Sequence, residues 1–242
     1  MTRHFAKGFL IGTLCICLLG LVWLFAFQPR LTAQEAQDLK AQFTTIPEDD
    51  LSGDGPAGKE ETQLDFETLQ ARYPDVKGWL TIPGTVVDYP VLQSSAEDPE
   101  KYLRRNYDMK WRMAGSLFFQ YDCMPDSRNL VVFGHNMNDG TMFAVLKKMV
   151  NPEFRQAHPI AILQTAEGMH EYRILTAMTT DTTQLLFNRT QFAGDEDFLS
   201  FAGSMLAGTE IVPQKQDRLL TLVTCAYDWD GARTVVVAIE QD

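Results

Sequence analysis

The chain has 242 residues, 45% of them hydrophobic, enough for one sizeable globular domain with appendages. Its formal net charge is −11, and no basic patch with interleaved aromatics is present. Nucleic acid is therefore excluded as a partner. No C-x-x-C, H-E-x-x-H or P-loop pattern occurs, so a structural zinc or a nucleotide cradle has no support, and neither a metal nor another cofactor is expected.

In chain order, the first element is apolar. Residues 8–27, GFLIGTLCICLLGLVWLFAF, carry no charge and match the ~20 residues a helix needs to cross the hydrocarbon layer. The run ends in Trp23, Phe25 and Phe27 without an A-x-A site, so it is expected to stay as an anchor rather than be cleaved. Residues 1–30 hold Arg3, Lys7 and Arg30 and no acid, a charge of +3, and the remainder carries −14. The expectation is a single-pass protein at the cell membrane with its N-terminus inside and its bulk outside. Residues 31–43 have helical composition and would form a stalk. Residues 44–62, rich in Pro, Gly and acids, read as a flexible, self-repelling linker. The expected regions are 1–30, tail and transmembrane anchor; 31–63, stalk and acidic linker; and 64–242, the folded domain.

The domain opens with a short amphipathic helix carrying Leu64, Phe66, Leu69 and Tyr73, ended by Pro74. GWLTIPG and VVDYPVLQ follow as strands, with Pro90 pushing the second towards a sheet edge. DPEKYLRRN reads as a short helix capped by Asp98. GSLFFQYD and NLVVFGH are strands around a CMPDSR turn. Residues 139–149 show helical spacing, PIAILQTA and HEYRILTAMTT are strands, residues 195–206 a helix, and RLLTLVTC and ARTVVVAIE the last strands. About eight short strands without regular βα alternation argue for a mainly β barrel or sandwich with helices set into the connections.

Cys15 and Cys17 lie in the apolar run, leaving Cys123 and Cys225 for the domain. Cys225 ends a run apolar on both faces, the mark of a central strand. It can be a buried filler, half of a disulfide to Cys123, or a nucleophile. Arg233 opens the next strand after the turn-prone YDWDG. It can pair with Asp228 or Asp230, or stabilise a thiolate or a developing oxyanion. Among the four histidines, His4 precedes the apolar run and His158 and His170 have unremarkable contexts. His135, in GHNMNDG, stands like Cys225 where a buried strand gives way to a loop. Asp122 and Asp126 read as solvated acids.

TLVTC followed by an arginine at the head of the next strand, VVFGHNMNDGTMF, GWLTIPGTVVDYPVLQ, KYLRRNYD and GSLFFQYD resemble the sortases, specifically class B. These are the membrane-anchored cysteine transpeptidases of Gram-positive cell envelopes. The resemblance spans about residues 64 to 241. It implies an eight-stranded sortase-type β-barrel with an N-terminal helix, and the triad Cys225 (nucleophile), His135 (acid and base) and Arg233 (carbonyl and oxyanion ligand). Leu103 and Thr224 become substrate-binding candidates, while Pro99 and Val223 stand where the class commonly has Asn and Ser. The implied reaction cleaves a C-terminal sorting signal of a secreted protein after Thr through a thioester, then transfers the protein to a peptidoglycan amine. A mainly hydrolytic thiol protease of the same fold and a catalytically silent anchored scaffold are the other readings of these residues.

Overall fold

The computed structural model describes residues 2–23, 28–45, 63–124 and 126–241. Eight strands form a closed barrel in the order β10-β8-β7-β3-β4-β5-β6-β9. They are β3 (Val76–Thr81), β4 (Asp88–Gln93), β5 (Leu117–Phe119), β6 (Asn129–Phe133), β7 (Ile160–Thr165), β8 (Gly168–Thr180), β9 (Leu219–Cys225) and β10 (Arg233–Glu240). Two pairs, β4 with β5 and β6 with β9, are parallel and the rest antiparallel. A two-stranded ribbon, β1 (Thr44–Thr45) with β2 (Gln63–Leu64), lies outside the barrel. The helices are α1 (Thr2–Val22), α2 (Gln28–Gln42), α3 (Phe66–Arg72), α4 (Leu146–Met149), α5 (Pro152–Ala157) and α6 (Asp195–Met205), with a 3₁₀ turn at Phe143–Val145.

The strand β9 is apolar on both faces because both are covered. Leu219 to Thr224 are buried without interruption, between β6 and β10 in the barrel wall and under the 3₁₀ turn. A buried polar pair in this wall is satisfied. Thr221 Oγ1 donates to Asn129 Oδ1 at 2.6 Å, and Asn129 Nδ2 donates to the carbonyls of Phe187 and Arg189.

Several expectations are corrected. Pro90 does not mark an edge, because β4 is interior to the closed barrel; pairing with β5 begins only at Val91, so the missing N–H costs no rung. Residues 99–104 form successive turns rather than a helix, with Lys101 N bonded to Asp98 O and Leu103 N to Glu100 O. The 139–149 segment is a 3₁₀ turn running into α4. Leu64 belongs to β2 and α3 starts at Phe66, capped by Asp65 Oδ1 accepting from Thr68 N at 3.0 Å.

The segment read as a stalk is docked on the barrel. Ala36, Leu39 and Phe43 are buried in the common core. Lys40 Nζ donates to Asp88 Oδ1 at 2.7 Å, and Arg112 Nε donates to Glu35 Oε2 at 3.0 Å. Its apolar positions 36, 39 and 43 follow helical spacing, which gives α2 a face to bury. Of the acidic linker read over 44–62, Thr44 and Thr45 form β1, while residues 46–62 and the end of the expected span, residues 24–27, lie outside the described residues. Among the described residues no helix is long and apolar enough to cross a membrane. Residues 10–23 are nonetheless exposed throughout, Leu10 by 73% and Ile16 by 71%.

Candidate active site

Parallel pairing of β6 with β9 positions two of the three candidate side chains. Phe133 is the register partner of Val223. His135 lies two residues beyond Phe133, and Cys225 two residues beyond Val223, so both emerge at the same end of adjacent strands. The third group comes from the antiparallel neighbour, where Arg233 is the register partner of Cys225. Cys225, His135 and Arg233 line one groove of about 360 Å³ together with Leu103, Thr224, Val223 and Pro99. All three candidate residues are half-buried, so each is accessible from the groove while held on a rigid frame.

The His135 segment can approach this closely because it begins with glycine. A Cβ at Gly134 would stand 2.4 Å from Leu117 Cδ2 and 2.7 Å from Phe143 Cδ2. Backbone and side-chain bonds then stitch the two strand ends together. Gly134 N donates to Val223 O at 3.1 Å, and Thr224 Oγ1 donates to Gly134 O at 2.7 Å. Thr224 is buried, so its hydroxyl serves this cross-link.

His135 Nε2 lies 2.8 Å from the Leu103 carbonyl oxygen. A carbonyl only accepts, so Nε2 carries a proton, and Nδ1 is the nitrogen left for proton exchange. Burial holds the imidazole below its ordinary 6.5, opposed by the bond to Leu103 and assisted by the positive charge of Arg104. At neutral pH the ring is therefore mainly uncharged.

Arg233 forms no ion pair with Asp228 or Asp230. Its NH1 donates to the carbonyls of Gly231 at 3.1 Å and Ala232 at 2.9 Å, which orients the guanidinium without neutralising it. Among the described residues it belongs to no salt bridge, so its charge is available to the groove. Cys123 and Cys225 are both free thiols, and the disulfide alternative does not form. Cys123 is buried against β6, its sulfur accepting from Val131 N at 3.3 Å, and burial pushes its thiol up to about 12. It is inert where Cys225 is accessible. Asp122 is not a solvated acid either: it accepts from Gln120 Nε2 and Thr190 Oγ1. Among the described residues no group of three or more His, Cys, Asp or Glu could hold a metal ion.

The family model described as the sortase domain matches residues 80–241, which hold the entire groove. This chain belongs to the sortase family. Sortase B of Listeria monocytogenes is 30% identical over 246 residues, covering 95% of this chain and 96% of that protein. Among solved structures, sortase B from B. anthracis in complex with AAEK1 is 26% identical with a TM-score of 0.73, covering 90% and 98% of the two chains. A sortase B complexed with triglycine is 30% identical with a TM-score of 0.65, covering 73% and 85%. The class B resemblance seen in the sequence is thus borne out, and the enzyme is a sortase, a cysteine transpeptidase.

Two groups in this sortase's groove were missed from the sequence. The carbonyl of Leu103 fixes the histidine tautomer, and main-chain atoms carry no sequence signal. Asn188 reaches the groove wall because Gln120 Nε2 donates to its carbonyl at 2.8 Å, pinning the connection between β8 and α6. That contact spans 68 residues.

Proposed function

We propose that this sortase cleaves a C-terminal sorting signal of secreted proteins after a threonine and transfers the new carboxyl group to a peptidoglycan amine. The observation that carries this reading is the meeting of a free thiol, a tautomer-fixed imidazole and a guanidinium without a salt bridge in one groove.

Cys225 gives its proton to His135 Nδ1, and the thiolate attacks the threonine carbonyl carbon. The oxyanion that forms lies against the Arg233 guanidinium, a charge held in place before the oxyanion develops. The C–N bond then breaks as His135 returns the proton to the leaving amine, giving a thioester on Cys225. An incoming amine attacks the thioester, loses its proton to His135, and expels the thiolate. Leu103 and Val223 supply the apolar groove wall for the signal peptide, and Thr224 acts through its cross-link to Gly134. No cofactor enters any step. The relative complexed with triglycine supports a glycine-containing amine as acceptor.

Membrane attachment belongs to the same reading. The apolar side chains of residues 10–23 are exposed, and insertion into lipid with the barrel on the outer side would cover them. Anchoring there would hold the enzyme where exported substrates emerge.

The test is a peptide library with threonine near the C-terminus, incubated with and without triglycine, with products identified by mass. A threonine-ended product joined to triglycine is expected. Hydrolysis alone at saturating triglycine would identify a thiol protease instead. Fractionation of cells expressing the full chain, followed by protease accessibility of the barrel, checks the anchoring and its orientation.

A further inference from the structure

The residue after the histidine has a built environment that the chemistry above does not use. Asn136 Nδ2 donates to the carbonyl oxygen of Cys225 at 2.9 Å. The next peptide N–H, that of Ala226, donates to Ala232 O at 3.0 Å. The peptide unit joining Cys225 to Ala226 is therefore held at both its oxygen and its nitrogen.

Asn136 is itself held. Its backbone forms a bridge with Met142, and the carbonyl of His135 accepts from Phe143 N at 2.9 Å. Met142 closes this loop at φ 54° and ψ −129°, a conformation that a residue with a Cβ adopts only when its surroundings impose it. Those surroundings are present: Met142 is fully buried, and its N–H donates to Tyr89 Oη at 3.3 Å. Backbone strain of this kind clusters where geometry matters for function.

We propose that Asn136 is a positioning residue for transpeptidation. By tying the main chain beside His135 to the main chain of Cys225, it fixes the separation and angle at which thiol and imidazole exchange a proton. Thr224 Oγ1 on Gly134 makes the matching tie on the other side of the histidine. The reacting pair is thus clamped from residues 134 and 136, on both flanks of residue 135. A loose pair loses rate rather than substrate affinity, and a displacement of about 1 Å can cost about a hundredfold. The inference rests on the reading of Cys225 as nucleophile and His135 as proton carrier.

The experiment uses the full chain with Asn136→Ala, Asn136→Asp and, as control, Asn138→Ala in the same loop, where the side chain is exposed. Turnover of a peptide identified in the library assay is measured against pH, with the melting temperature of each variant. The two Asn136 variants are expected to lose kcat about ten- to hundredfold with KM within about twofold, an unchanged melting temperature and a displaced acid limb of the pH profile. Asp keeps the size but sets an acceptor against the Cys225 carbonyl, so it falls at least as far as Ala; Asn136→Gln, which retains the donor, recovers part of the rate. Asn138→Ala behaves as wild type. The inference is overturned if both Asn136 variants keep kcat within twofold, or if kcat falls only with the folded fraction and the pH profile is unmoved. Cys225→Ala separates the two levels. If it still forms product, the mechanistic reading and this inference fall together. If it is dead while the Asn136 variants are normal, only this inference fails.

Discussion

Arg233 and Cys225 are register partners across the β9–β10 ladder. Directly opposed residues in an antiparallel pair have side chains on the same face, about 5 Å apart at Cβ. The guanidinium is therefore delivered to the thiol by strand pairing rather than by a loop. Arg233→Ala should lower kcat/KM about 10²- to 10³-fold, the range for loss of one oxyanion donor. The barrel should remain intact by circular dichroism, because the Arg233 side chain bonds to the nearby carbonyls of Gly231 and Ala232 rather than to a distant element. Arg233→Lys should restore little, since a point charge does not reproduce a planar fork.

The two domain thiols should react very differently. Iodoacetamide treatment of the native full chain, followed by peptide mapping, should modify Cys225 rapidly and leave Cys123 unmodified until the protein is unfolded. Cys123 is buried with its thiol pushed up to about 12, so at neutral pH it offers almost no thiolate. Cys225→Ala should abolish the covalent peptide adduct seen by intact mass. An adduct that persists in that variant would remove Cys225 as the nucleophile.

How much of this was legible in the sequence follows from the range of the forces involved. The β9 and β10 strands, Cys225 at a strand end and Arg233 at a strand start are local patterns of apolar residues and turn formers, and they stand as read. Apart from the family resemblance, which implies the same pair, His135 and Cys225 were linked only by their like positions at strand ends. What brings them together is the parallel β6–β9 pairing between segments about ninety residues apart, which no local pattern encodes. Pro90 was misplaced for a related reason: its edge signal depends on which neighbour begins where, and pairing with β5 begins one residue later. The segment 31–43 was read as a stalk from its helical composition alone, which does not say what a helix packs against. Its docking depends on Ala36, Leu39 and Phe43 together with the distant Asp88 and Arg112. Asn136 gave no signal of its own, because its partner is a main-chain carbonyl.

The acid limb of the pH–kcat/KM profile should lie below pH 6.5. Burial and the charge of Arg104 hold the His135 imidazole below that value, so the pair gains its disabling second proton only at lower pH. The limb belongs to the thiol–imidazole pair as a unit. Arg104→Gln removes one of the two causes and should move the limb upward. A limb that moves down, or one already above pH 6.5 in the wild type, would contradict the assignment of His135 as the titrating group.

Asp88 should contribute stability that disappears in acid. Its carboxylate accepts from Trp79 Nε1 at 2.6 Å, Thr81 Oγ1 at 3.1 Å, Lys40 Nζ at 2.7 Å and Gln37 Nε2 at 3.2 Å, joining α2 to β3 and β4. Burial acts to raise its pKa, but Lys40 and Trp79 outweigh burial and hold it below the ordinary 3.8. A carboxyl with a depressed folded-state pKa adds stability that is complete above the unfolded value. That stability is lost as pH falls through the folded one. Asp88→Asn should therefore cost about 1–2 kcal/mol at pH 7, the scale of charge-assisted hydrogen bonds discounted for partial exposure. In urea unfolding monitored by tryptophan fluorescence, the gap between variant and wild type should hold from neutral pH to about pH 4 and narrow below about pH 3.8. A gap independent of pH would show that the carboxylate's charge does not tie α2 to the barrel.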